Sequence, residues 1–334
     1  MVEIKMSSGM RATDFMLQLM SDLVKERGVS ESTATQYIQT LYSLNNKTSF
    51  KNLAWLKNTE EIDKRLAEFA PSTQRGYVAA IVSVLTPVKD KPAYKRTYKH
   101  YYETMMKGSK EARETKPEGK TKKQEENWAD WAEVQKMKSD LREDVSKRVG
   151  GRKHITPSDY EALLKCVVLS LYTDTQPRRN QDYMDMYVVK KYSDDLPRDR
   201  NYLVLESKMP TKFVFNKYKT AKKYGTQVVD IPNTEEAPLG DTILTYLKHH
   251  PLNGAKTREF KFLVAHDGSA LNSVNAITRI LNKVFGKRIG SSMLRHIYIT
   301  GKYGDLKTEM EKDAEAMGHS VKEQQNVYNV PDKE

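Results

Sequence analysis

TPSDYEALLKCVVLSLYT, residues 156–173, is the stretch from which the rest of the chain can be read. Thr156, Pro157 and Asp159 have the order of a helix start: a hydroxyl at the cap, proline at the first helical position, and an acid in the first turn. The run from Tyr160 to Tyr172 is almost wholly apolar. A helix apolar on every side leaves no face for water, so it belongs in the middle of a core.

Outward from this helix the pattern changes twice. Upstream, Trp128, Trp131, Val134, Met137, Leu141 and Val145 recur at helical spacing. Downstream, NYLVLES (201–207), KFVFNKY (212–218) and TQVVDIP (226–232) are short and rich in β-branched or aromatic residues, the pattern of strands. Helical periodicity returns over Leu271–Phe285, Ser291–Tyr303, Lys307–Met317 and Val321–Val330. The expected class is mainly α with a small antiparallel β-sheet, over residues 127–334.

Residues 109–126, SKEARETKPEGKTKKQEE, hold no large apolar side chain and read as a flexible charged linker. Its KTKK run is either solvated charge or a phosphate-contact patch. Before it, residues 10–108 form a helical domain. Met16, Leu19, Met20, Leu23 and Val24 share one face, Tyr37, Leu41 and Leu44 another, and Asn58 with Glu61 opens a third helix. Residues 89–107 interleave Lys95, Arg96 and Lys99 with Tyr94, Tyr98, Tyr101 and Tyr102. Such a helix can pack its tyrosines inward and still lay its cations along a phosphate backbone.

The chain has 334 residues, 38% hydrophobic and 30% charged, enough apolar material for two cored domains. A formal charge of +12 favours a polyanionic partner, because each phosphate neutralised releases a condensed counterion. Cys166 is the only cysteine, which rules out an internal disulfide and a cysteine-based metal cluster. Met1–Arg11 lacks the apolar core of a signal peptide, and no stretch approaches the length of a membrane span. The expectation is a soluble, intracellular protein that does not engage a membrane. Walker-type glycine loops, HExxH and GxSxG motifs are absent, so common hydrolase chemistry has no support.

What remains is an ordered set: PRRNQDYM (177–184), YKTAKKYGTQVVDIP (218–232), SSMLRH (291–296), MGHS (317–320), and Tyr328 nine residues after His319. In order and spacing this set resembles the tyrosine recombinase, or phage-type integrase, family. The opening PRRN, in place of a glycine-containing turn, points to a divergent branch such as a viral or mobile-element one. The resemblance implies a two-domain DNA clamp, a helical core-binding domain joined to a tyrosine recombinase catalytic domain. It maps the first catalytic arginine to Arg179, with Asp182 three residues on and Arg178 as fallback. It maps the hairpin lysine to Lys219, the second arginine to Arg295, the later histidine to His319 and the nucleophile to Tyr328. Ser292 stands where the family usually has histidine. His296 is expected to point away from Arg295 on the helix, into the core or behind the site. Lys217, Lys222 and Lys223 are expected to contact DNA, and strand alternation would put Lys217 and Lys219 on one face.

These residue types suit the chemistry. Two guanidiniums can stabilise the charge that grows on a phosphodiester's nonbridging oxygens, and a tyrosine that attacks phosphorus conserves the bond energy. Neither a metal nor any other cofactor is then required. The implied partners are double-stranded DNA and further copies of the chain, as a homo-oligomer, a tetramer, on paired sites. Type IB DNA topoisomerases share the constellation and are one alternative; a noncatalytic DNA-binding descendant, for which Ser292 speaks, is another.

Overall fold

Thr13 and Ser30 each turn a side-chain oxygen onto a backbone N–H two or three residues on, and so open the first two helices, α1 (Asp14–Lys25) and α2 (Glu31–Leu44). The computed structural model describes residues 10–115, 119–193, 195–254, 259–271, 273, 275–318 and 321. Contacts divide the chain into two units at Gly119 and Lys120.

The first unit continues with α3 (Thr59–Ala67), α4 (Pro71–Leu85) and α5 (Pro92–Glu114). Asn58 caps α3, accepting from Glu61 N and donating to its carboxylate. Pro71 is the first residue of α4, where its missing N–H costs nothing. Met16, Leu23, Ile38, Leu41, Leu56 and Ile81 make the core of this unit. On α5, Tyr101 is fully buried and donates to the carbonyl of Leu56 at 3.2 Å. Tyr94 and Tyr98 pack against the same core, whereas Lys95, Arg96 and Lys99 are exposed.

The second unit opens with a single capped turn, α6 (Lys122–Glu126), and then α7 (Trp131–Val149). The buried helix is α8 (Pro157–Thr173): Thr156 and Asp159 close a capping box around its start, and thirteen of its seventeen residues are buried. A short helix α9 (Asn180–Met184) leads into the sheet. Its strands are β1 (Met186–Val189), β2 (Asn201–Glu206), β3 (Met209–Phe215), β4 (Gln227–Asp230) and β5 (Glu259–Lys261). One helical turn, α10 (Ala221–Tyr224), lies between β3 and β4. The remaining helices are α11 (Leu239–Lys248), α12 (Asn275–Phe285) and α13 (Ser291–Ala316). Helices α7, α11 and α12 pack around α8. Tyr160 of α8 donates to the hydroxyl of Tyr246 on α11 at 2.9 Å. Among the described residues no helix is long and apolar enough to cross a membrane.

The mainly helical class holds, with about 60% helix, but four expectations are corrected. The sheet is mixed, not antiparallel. It has five strands in the order β4-β3-β2-β1-β5, and β1 pairs with β2 in parallel through Met186↔Asn201. Strands β1 and β5 are too short, at four and three residues, to show alternation in sequence. Second, β3 ends at Phe215, so Lys217 and Lys219 lie in the following loop and the shared-face argument for them lapses. Third, much of the 109–126 linker is helical: α5 runs to Glu114, and Thr121 caps α6, its N–H donating in return to Gln124 Oε1. Fourth, the helices expected at Ser291–Tyr303 and Lys307–Met317 are one helix, α13. The final expected helix, 321–330, lies almost wholly outside the described residues.

Gly304 falls in the gap between the helices expected at Ser291–Tyr303 and Lys307–Met317, whereas Gly301, inside the first of them, serves packing. A Cβ there would come within 2.5 Å of Trp131 Cβ, and one turn earlier Tyr298 meets the Trp131 ring edge-on at 5.3 Å. At Gly304 a Cβ meets only Thr300 of the same helix, at 3.8 Å. The two glycines should therefore respond oppositely to alanine. Gly304→Ala should stabilise by about 0.5–1 kcal/mol through helix propensity, and Gly301→Ala should destabilise by about 1–3 kcal/mol through overpacking. Urea denaturation of both variants checks the signs; two stabilising substitutions would refute the close α7–α13 contact.

Candidate functional site

Pro177 and the tandem Arg178–Arg179 fill the turn between α8 and α9, and the two arginines do different work. Arg178 Nε donates to Asp182 Oδ2 at 3.0 Å and Nη1 to Gln227 Oε1 of β4 at 2.9 Å. Its guanidinium lies 3.8 Å from the centre of the Phe215 ring and 5.0 Å from that of Tyr218. A guanidinium stacked on two rings and bonded to two side chains is committed to the fold. Arg179 is the N-cap residue of α9, half-buried, and among the described residues its side chain makes no hydrogen bond or ion pair.

Sequence spacing had joined Asp182 to Arg179; the carboxylate in fact takes Arg178, four residues away. Asp182 is buried, and burial pushes its carboxyl above the usual carboxylate range, opposed by Arg178 and then Arg179. The division of labour leaves Arg179 as the cation free to meet an anion.

The same turn is tied to the end of β3. Asn201, 2% exposed at the start of β2, donates through Nδ2 to the carbonyls of Asp182 (2.8 Å) and Lys217 (2.9 Å), and its Oδ1 accepts from Lys217 N at 2.8 Å. One side-chain amide thus fixes the root of the β3–β4 loop to α9. Across that loop, Tyr218 donates to the carbonyl of Gly225 at 2.8 Å, and Gly225 takes a left-handed φ of +67° that a side chain would resist. Lys217, Lys219, Lys222 and Lys223 all stand exposed on this anchored loop. Asn201 had not been singled out in the sequence. Its only signal was an amide opening an otherwise apolar strand.

A second tie leads to α13. Tyr172 of α8 donates to Asn180 Oδ1 at 2.8 Å, and Asn180 Nδ2 donates to Thr278 Oγ1 of α12 at 2.9 Å. Thr278 in turn packs on Gly290, the residue that opens α13, where an added Cβ would come within 3.3 Å. Burial holds the Tyr172 phenol well above its usual value, and Arg295 and Ser291 are near enough to pull it back. Arg295 is half-buried, and its Nη2 donates to Ser292 Oγ at 3.2 Å. Ser292 is thus a hydrogen-bond partner of the arginine within the first turn of α13. His296 is exposed, not in the core: its neighbour Leu294 and the next turn's Ile297 take the buried face.

At its far end α13 stops at Gly318, which adopts φ +74° and donates its N–H to the carbonyl of Glu315. His319 and Tyr328 lie outside the described residues. The structure thus ties the Arg179 turn and the Lys219 loop onto one hydrogen-bonded frame built from Tyr172, Arg178, Asn180, Asn201 and Thr278, whereas Arg295 and Ser292 lie on α13, whose opening residue packs on Thr278. Lys95, Arg96 and Lys99 belong to the other unit. Among the described residues, no three His, Cys, Asp or Glu side chains are grouped to hold a metal ion. No family model, curated protein or solved structure matches the chain.

The tandem arginines supply a test that needs no knowledge of activity. Arg178→Ala strips a buried carboxylate of its partner and should cost about 3–5 kcal/mol. Arg179→Ala should stay within about 0.5 kcal/mol of the parent. Chemical denaturation of the two variants distinguishes them, and equal losses would mean that Arg179 is also a structural arginine.

Proposed function

We propose that the chain is a DNA strand-transfer enzyme, a site-specific recombinase or integrase of the tyrosine recombinase kind, acting on double-stranded DNA through a 3′-phosphotyrosine. The observation that carries this reading is the frame just described. The Arg179 turn and a lysine-bearing loop, far apart in sequence, are fixed by buried polar bonds, Arg179 has no side-chain partner among the described residues, and Arg295 lies on the helix whose opening residue packs on Thr278. A fold that invests so many buried bonds in presenting cations is suited to an oxyanion.

In this reading Arg179 and Arg295 hold the nonbridging oxygens of the scissile phosphate, and His319 adds a third donor. Tyr328 Oη forms the bond to phosphorus, and the P–O5′ bond breaks. Lys219 gives its proton to the leaving 5′ oxygen, and the tyrosine's proton passes to water or to the phosphate environment. Ser292 orients Arg295. In the second half-reaction a free 5′ hydroxyl attacks the phosphotyrosine and releases Tyr328. Lys95, Arg96 and Lys99 of the first unit and Lys217, Lys222 and Lys223 of the second contact the backbone of the same duplex, the two units acting as a clamp. Exchange between sites requires a homo-oligomer, a tetramer, on paired DNA. Because two guanidiniums and a lysine supply the charge and the proton, excess EDTA should leave cleavage intact.

Lys219 is separated from its neighbours by replacing the leaving oxygen with sulfur, which departs without protonation. Lys219→Ala should cleave normal DNA slowly and recover on the sulfur substrate. Lys217→Ala, Lys222→Ala and Lys223→Ala should instead weaken binding in a salt-dependent way, with no selective rescue. Rescue of Lys217→Ala alone would transfer the role to Lys217. Ser292→Ala should slow cleavage modestly, and a loss equal to that of Arg295→Ala would make Ser292 a principal catalytic group. Efficient plasmid relaxation by monomers, with no exchange between paired sites, would favour a type IB topoisomerase.

A further inference from the structure

The KTKK run, Lys120–Lys123, is not used by the transesterification frame, yet it is folded. Thr121 caps α6 and its own N–H donates in return to Gln124 Oε1, while the ammonium of Lys120 sits 4.0 Å above the Trp128 ring. Facing α6 is the loop between α12 and α13. The two are stitched together: Arg288 N donates to Asn127 Oδ1 at 2.9 Å, Lys287 Nζ to the carbonyl of Trp128 at 3.1 Å, and Asn127 Nδ2 to the carbonyl of Lys123 at 3.0 Å. Between them lies a cleft of about 1000 Å³. Lys122, Lys123, Lys287 and Arg288 line it against a single acid, Glu126. Among the described residues Lys122, Lys123 and Arg288 have no carboxylate partner, whereas seven lysines on other helices sit beside one four residues away. Asn282, also in the lining, has a buried Oδ1 with no hydrogen-bond partner.

We propose that this cleft is a second phosphodiester-binding site, apart from the strand-transfer frame, in which Lys122, Lys123 and Arg288 grip the backbone of nucleic acid. Cations without a carboxylate partner among the described residues, brought together from segments more than 150 residues apart on walls joined by side-chain-to-backbone bonds, form an electropositive slot; scattered surface lysines do not. The slot has the chemistry for consecutive phosphates. The Asn282 oxygen, without a partner among the described residues, offers an acceptor to a water bridging to the bound backbone. The proposal rests on the reading of the chain as a DNA-binding protein but not on its covalent chemistry.

The test is the salt dependence of duplex binding, by fluorescence anisotropy on the full chain. The cleft variant carries Lys122→Gln, Lys123→Gln and Arg288→Gln. A control with the same charge loss carries Lys153→Gln, Lys190→Gln and Lys248→Gln, at exposed lysines that make no ion pair among the described residues. Each phosphate contact contributes about 0.9 to the slope of log affinity against log salt, so the cleft variant should lose about 2–3 from that slope and the control close to none. Equal changes in both variants, no change in either, or no measurable duplex binding by the parent would overturn the proposal. So would a cleft-dependent slope seen with inorganic polyphosphate but not with DNA. A chain that shows the cleft-dependent slope yet forms no covalent adduct would remove the strand-transfer reading and leave the cleft; adduct formation with an unchanged slope would do the reverse.

Discussion

Arg178 is the residue on which the second unit's functional geometry depends. Its charge is matched by Asp182, its planar face is covered by Phe215 and Tyr218, and its remaining reach ends on Gln227. Through it the turn after the buried helix is joined to both edges of the β3–β4 loop. Asn201 repeats the connection with three bonds to backbone groups. Buried polar networks of this kind add little net stability, since each group forfeits water, but they define one arrangement among many that an apolar core would tolerate. Here the arrangement defined is the relative placement of Arg179 and the Lys219 loop.

The parts of this fold legible in sequence are those written in local chemistry. The Thr156–Pro157–Asp159 start, the Asn58–Glu61 cap and the apolar run of α8 are each decided within a few residues, and the structure has them where the sequence put them. What was illegible depended on distant partners. The parallel pairing of β1 with β2 comes from two short segments whose alignment no local pattern encodes. The close approach of Gly301 to Trp131 joins positions 170 residues apart and has no local signal either.

The tandem arginines make the same point within the candidate site. Arg178 and Arg179 are identical in type, and the family resemblance chose the second by its distance to Asp182. The i, i+4 spacing of Arg178 and Asp182 was available as a pairing signal. The aromatic residues that cover Arg178 come from a strand and loop nearly forty residues later, and they decide which arginine is structural. The Ser292–Arg295 bond, by contrast, is local: a hydroxyl three residues earlier on the same helix accepts from the guanidinium at 3.2 Å. The reading as a strand-transfer enzyme draws its residues from sequence order and its plausibility from this frame, so it is exposed to a single chemical question about Tyr328.

That question is answered by peptide mapping of a trapped adduct. A nicked suicide duplex, built from the terminal sequences of the element or genome that carries this chain, is incubated with the protein in EDTA, digested, and analysed by mass spectrometry. The account predicts a 3′-phosphonucleotide on Tyr328 and no adduct in Tyr328→Phe. An adduct on another residue, or one persisting at parent level in Tyr328→Phe, would contradict it.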